Sequence, residues 1–149
     1  MSSLTTTLNS QKVAPLNRLW WVALVAAGAS ALGNLLLFFI AAGLGVSFLM
    51  PLEPGSSELA PLPAVIVVVA SALPAIFATI LYALLGKFVR RPILIFWIIS
   101  AVVLVLSFGL PIFNLPATVD TPTVIALELM HIVSAATIVG VLTGLGRKT

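Results

Sequence analysis

The sequence predicts an all-α protein, a transmembrane four-helix bundle of up-down-up-down topology. Composition predicts it first: 61% of the 149 residues are hydrophobic and 7% are charged, against about 25% charged in ordinary globular domains. Mean hydropathy is +1.26, and so little charge leaves no polar surface to keep a chain in water. The second observation is four apolar blocks, each long enough to cross a hydrocarbon core of about 30 Å at 1.5 Å per residue. The third is charge asymmetry: the basic residues all flank the same ends of those blocks.

Residues 1–17 are polar and are expected to form a flexible cytoplasmic N-terminus, with the four-helix domain over 18–149. Helix one is expected over 20–44. Lys12 and Arg18 precede it, and Ala29-Ser30-Ala31 has a loose likeness to a signal-peptide cleavage site. The apolar run continues to Ile40, beyond the roughly 7–15 residues of a signal core, so a retained span is expected. Position 2 is Ser and the sequence has no Cys, so no lipidation motif is evident. Met50-Pro51, Glu53-Pro54-Gly55, Pro61 and Pro63 break the chain before helix two, expected over 64–86. Pro74 is expected to kink it. The short turn Lys87 to Arg91 leads to helix three over 92–112, with Pro92 suited to its first turn. After the connection from Asn114 to Pro122 comes helix four over 123–145, capped by Thr118 or Thr121. Barrel strands alternate in polarity and are about 10 residues long, which these blocks do not match. Helices satisfy their own backbone in lipid.

With four spans, all seven Lys and Arg residues share one side. Glu53, Glu58 and Asp120 fall on the other. The positive-inside rule then directs both termini to the cytoplasm, with the chain expected as a multi-pass protein of the inner (plasma) membrane. Trp20, Trp21 and Trp97 suit anchoring near the cytoplasmic interface.

Polar residues inside apolar spans each need an account. From the cytoplasmic side Asn34 lies about 21 Å deep and Ser107 about 22 Å. From the opposite side Ser71 lies about 10 Å deep and His131 about 12 Å. All four meet at one level in the outer half of a core of about 30 Å. The reading is a polar layer of Asn34, Ser71, Ser107 and His131, with Glu128 just above, on the face of His131. Small residues share these faces: Ala27, Ser30 and Ala31 on helix one, and Ala75 and Ala78, with Tyr82, on helix two. Gly140 and Gly144 form a GxxxG, a helix-packing signal. Two readings of the layer stay open. It bonds helices together, or it is a ligand pocket or proton relay open to the outer side.

Chemistry is sparse. There is no Cys, hence no disulfide or thiolate site. Glu128-Leu129-Met130-His131 matches the Glu-x-x-His of dimetal bundles, but those require two such motifs and two more glutamates, and His131 is the only His. One His can ligate haem, yet nothing else supports haem. No phosphate-binding loop, catalytic triad or basic nucleic-acid face is evident. No metal, no cofactor and no enzymatic activity are expected.

Arg18-Leu19-Trp20-Trp21, Asn34 and Leu129-Met130-His131-Ile132-Val133 give the chain its likeness to a known group. Over residues 18–147 it resembles a family of small four-helix bacterial membrane proteins described as a domain of unknown function. The resemblance implies the architecture and no catalytic residues. Two functions follow as expectations. One is a non-enzymatic accessory or assembly bundle, partnered by lipid and by a larger membrane complex or its own copies. The other is a small-molecule or proton pathway through the layer around His131.

Overall fold

The computed structural model describes residues 12–51, 58–114 and 118–147. It holds helices α1 (Leu16–Gly43), α2 (Ala64–Phe88), α3 (Pro92–Asn114) and α4 (Thr121–Leu145). Two short antiparallel strands, β1 (Leu49–Met50) and β2 (Ala60–Pro61), pair between α1 and α2. All four helices contain a stretch long and apolar enough to cross a membrane. The protein is therefore an all-α four-helix bundle and a multi-pass membrane protein.

Proline and backbone geometry set the helix ends. Pro15 and Pro63 hold the cap positions of α1 and α2 in extended conformation, and neither helix has a side-chain cap. Asp120 takes the cap position of α4 without a side-chain bond, so neither Thr118 nor Thr121 serves as the expected cap. α2 runs as one helix through Pro74.

Apolar residues surround every helix, so hydrophobicity alone does not select the inward face. Small and polar residues select it. α1 buries Leu19, Val22, Ala26, Ser30, Ala31 and Asn34, while α2 buries Val67, Ser71, Ala75, Thr79 and Tyr82. Ala26 and Ala75 are fully buried, while Ala27 and Ala78, expected on the same faces, are only partly buried beside them. Bulky Leu32, Leu36, Phe39, Ile80 and Val105 point outward, where lipid replaces water as solvent.

α1 packs along both α2 and α4, and α3 leans on α4 and, less extensively, on α2. The approach of α1 to α4 is close, for a Cβ on Gly33 would meet Val133 Cγ1 at 3.0 Å. Gly140 and Gly144 do not contribute to this packing. They face outward with nothing within 4 Å of a Cβ, because Ile138, Val139 and Leu142 occupy the inward face of that turn.

Two apolar clusters close the bundle. At one end Tyr82 and Phe96 meet with ring centroids 4.9 Å apart, among Leu19, Ala26, Ala75, Ile138 and Leu142. At the other Phe48 packs with Leu62, Val67, Ala126 and Met130 and against the Phe38 ring at 4.6 Å. Phe48 adopts a left-handed φ of 48°. Its N–H donates to Thr123 Oγ1 at 3.2 Å and its carbonyl accepts from Leu62 N at 3.0 Å. These bonds offset a backbone conformation unusual for a bulky residue.

The first segment departs from expectation. Residues 1–11 lie outside the described residues, as do Glu53, Lys148 and the rest of 52–57, 115–117 and 148–149. Lys12 to Asn17, however, are not a loose extension. α1 begins at Leu16, Ala14 is buried, and its N–H donates to Gly146 O at 2.8 Å. Val13 bridges to Arg147 and fills the space over Gly86, where a Cβ would meet Val13 Cβ at 2.6 Å. The ends of α1 and α4 are thus tied beside the end of α2. Lys12, Arg18, Lys87, Arg90, Arg91 and Arg147 gather at that end of the bundle, with Glu58 and Asp120 at the other.

Candidate ligand-binding cleft

α1, α2 and α4 are joined through one side chain. Asn34, 3% exposed, donates from Nδ2 to Ser71 Oγ and to Ser134 Oγ, each at 2.8 Å. Ser30 Oγ donates to Ser134 Oγ at 3.1 Å. Ser71 sends its own hydrogen to Val67 O at 2.6 Å, so it must accept from Asn34, which fixes the amide with nitrogen toward Ser71. Both Asn34 N–H groups are then used. Its Oδ1 is buried and has no partner.

The expected layer of Asn34, Ser71, Ser107 and His131, with Glu128 just above, is assembled only in part. Asn34 and Ser71 bond directly. Ser107 donates to Leu104 O at 2.7 Å, within its own helix. His131 Nδ1 lies 2.8 Å from Leu127 O, also in its own helix. A carbonyl only accepts, so Nδ1 carries a proton and donates it to that bond. Glu128 stands outside the layer, and neither of its carboxyl oxygens, both buried, has a partner. Ser134 takes the bridging place expected of His131, and Ser30 joins it. Spacing carried the signal for both: Ser134 is three residues after His131, and Ser30 one turn before Asn34.

Beside this polar bridge opens a cleft of about 760 Å³ between α2, α3 and α4, within the range of about 300–1,000 Å³ usual for small-molecule sites. Asn34, Ser71, Ser107, His131 and Ser134 all line it, and Glu128 does not. Most of the remaining lining is apolar, including Ile66, Phe77, Leu81, Phe96, Val103 and Ile138. No Lys, Arg, Asp or Glu among the described residues lines it. Pro74 also lines it and has no N–H for the carbonyl of Ala70, another lining residue, one turn earlier. A smaller groove of about 210 Å³ lies between α3 and α4, lined by Trp97, Ala101, Ile132 and Ala136 among others.

The arrangement can bind but offers little for covalent chemistry. Ser71 and Ser107 spend their hydrogens on backbone carbonyls, and none of the serines described bonds the imidazole. A hydroxyl nucleophile requires an adjacent base. Among the described residues no three His, Asp or Glu side chains gather as metal ligands do.

Residues 14–148 match the family described as "Family of unknown function (DUF6069)". Neither the curated proteins nor the solved structures contain a match to this chain.

Asn34 and Glu128 should respond differently to substitution. Asn34→Ala removes two interhelical bonds and should lower stability in detergent by about 1 kcal/mol. Glu128→Gln replaces an unpaired buried carboxyl and should leave the melting temperature unchanged or raise it. Thermal unfolding followed by circular dichroism reads both, and a large loss in Glu128→Gln would contradict this account of the carboxyl.

Proposed function

The chain belongs to the DUF6069 family of unknown function, and from that premise we propose that it is a non-enzymatic membrane protein whose cleft holds a small, largely apolar molecule. One observation carries the proposal. A cleft of about 760 Å³ is apolar over most of its lining and carries a few polar side chains, Asn34, Ser71, Ser107, His131 and Ser134 among them, the combination usual for small-molecule sites.

Orientation is part of the proposal. The cluster of basic residues at the end shared by residues 13–14 and 146–147 supports a cytoplasmic location for both termini in a bacterial plasma membrane. The chain lacks Cys, so single cysteines at Glu58 and Arg147 can be labelled without background. An impermeant maleimide added to intact cells should label the first and spare the second, and the reverse pattern would invert the topology.

A second reading, an accessory or self-associating bundle, draws on the outer face of α4. Ala136, Gly140 and Gly144 recur every fourth residue and are exposed, a spacing that lets a neighbouring helix approach closely. α3 adds a largely bare flank: among its described side chains only Pro92 and Phe96 are buried. Native mass spectrometry should then find a dimer or a bound partner that Gly140→Leu abolishes. A monomer in both proteins would remove this reading.

Binding in the cleft is tested with an alkane bearing a photoreactive diazirine. Labelling should concentrate on Phe77, Val103 and other cleft residues, and Ala70→Trp, which fills the cleft from an exposed position, should reduce it several-fold. Even labelling around all lipid-facing surfaces, unaffected by Ala70→Trp, would sink the proposal.

A further inference from the structure

The cleft is walled at its two ends and open at its side. Met50 and Leu62 line the end away from the basic cluster, where Leu62 is buried in one cluster with Phe48. Phe96 and Ile138 line the other end and belong to the buried cluster around Tyr82. The exposed lining lies between, with Ala70, Pro74 and Phe77 on α2 and Val103 on α3. These two helices therefore leave a mouth between them, rimmed by apolar side chains.

Cations stand below that mouth. The turn joining α2 to α3 carries Lys87, Arg90 and Arg91, all exposed. Lys12, Arg18 and Arg147 share that end of the bundle, and no Asp or Glu among the described residues does. Along α2, Phe77, Leu81, Leu84 and Phe88 recur at spacings of four, three and four, which is one face of a helix. The first two line the cleft, while Leu84 and Phe88 are 49% and 72% exposed. An apolar track thus runs from the basic turn to the mouth. Lys87 Nζ sits 5.4 Å from the centroid of the Phe88 ring, at the foot of the track.

The levels match one lipid leaflet. Along α2, Leu81 is about 9 Å and Pro74 about 20 Å from Lys87 at 1.5 Å per residue. Along α3, Phe96 is about 8 Å and Val103 about 18 Å from Arg91. A leaflet supplies about 15 Å of hydrocarbon and about 6 Å of headgroup region. A phosphate beside Lys87 therefore sends its chain as far as Pro74 and stops it short of Ser71, about 24 Å away. The chain fills the apolar part of the cleft, and the polar bridge lies beyond its tip.

Building on the cleft-binding reading, we infer that the occupant is one acyl chain of an anionic phospholipid from the leaflet at the basic end, with its phosphate held by Lys87, Arg90 and Arg91. Arg meets phosphate oxygens through two parallel N–H groups, and Lys adds a point charge. The second chain stays in the surrounding lipid. A zwitterionic head brings its own cation to a surface without a described carboxylate, and that like-charge contact disfavours it.

The test places the full chain in phosphatidylcholine nanodiscs. Equal trace amounts of phosphatidylglycerol or phosphatidylcholine carry a diazirine at the end of one chain. The anionic probe should label Pro74, Val103 and their neighbours several-fold more than the zwitterionic probe. Lys87→Gln, Arg90→Gln and Arg91→Gln should each cut its labelling about fivefold, the worth of one cation near an anionic surface. Arg18→Gln, on α1 and diagonal to α3 in the bundle, should leave it nearly unchanged. The photoreactive alkane, which has no head, should label all four variants like the wild type and so reports that each is folded. Equal labelling by the two lipid probes would overturn the head assignment, and the cleft-binding reading would stand if the alkane still labels the cleft. An equal loss in Arg18→Gln would mean a diffuse field rather than a site at the α2–α3 turn, and overturns the assignment likewise. A long-chain fatty acid that displaces the anionic probe as well as unlabelled phosphatidylglycerol does would overturn the role of phosphate. If neither the lipids nor the alkane label the cleft, the cleft-binding reading fails and this inference with it.

Discussion

In hydrocarbon the two N–H donors of Asn34 have no water to turn to, and the helices beside it are the nearest acceptors. That constraint organises the bundle. Lipid tails are as apolar as Leu or Val, so burying an apolar side chain between helices gains little over leaving it in lipid. Specificity comes instead from groups that lipid cannot satisfy. Asn34 reaches Ser71 on α2 and Ser134 on α4 from a single amide. Ser30 adds a second tie to Ser134. Around these bonds lie the small residues that let backbones approach, including Ala26, Ala75 and Gly33, the last facing Val133.

α3 has no part in this bridge, and the cleft follows from that. Its one polar residue at the level of the bridge, Ser107, bonds to its own backbone. Its firmest anchor is Phe96 against Tyr82, toward the basic end of the bundle. Away from that anchor, the space beside Asn34, Ser71 and His131 stays open and meets α3 only as a wall. Three helices held by hydrogen bonds and a fourth held by packing give an interior with one polar side and one apolar side. Such asymmetry suits an amphiphile better than it suits a proton path, which requires a continuous series of polar groups across the core.

The bundle ends are closed by different means. At the basic end a short backbone pairing joins Ala14 to Gly146, and Val13 settles over Gly86. At the opposite end a buried phenylalanine in left-handed conformation is held by Thr123 and by the carbonyl contact to Leu62. Neither closure repeats a helical pattern, and each depends on residues far apart in the chain.

The sequence by itself determined the helices and their number, because apolar length against a core of about 30 Å is a property of each segment alone. It also placed Asn34 and Ser71 at one level, since rise per residue is fixed in a helix. Tertiary structure alone decided which neighbours those residues meet. Helices apolar on every side have little amphipathic pattern to set their rotation, so the place expected for His131 went to Ser134, Glu128 does not line the cleft, and the GxxxG of Gly140 and Gly144 turned outward. Residues 12–17 read as polar and loose, yet they fold against Gly86 and Gly146, a contact between distant segments that no local pattern encodes. Depth in the membrane is written along the chain, but the direction a side chain faces is settled only when all four helices pack.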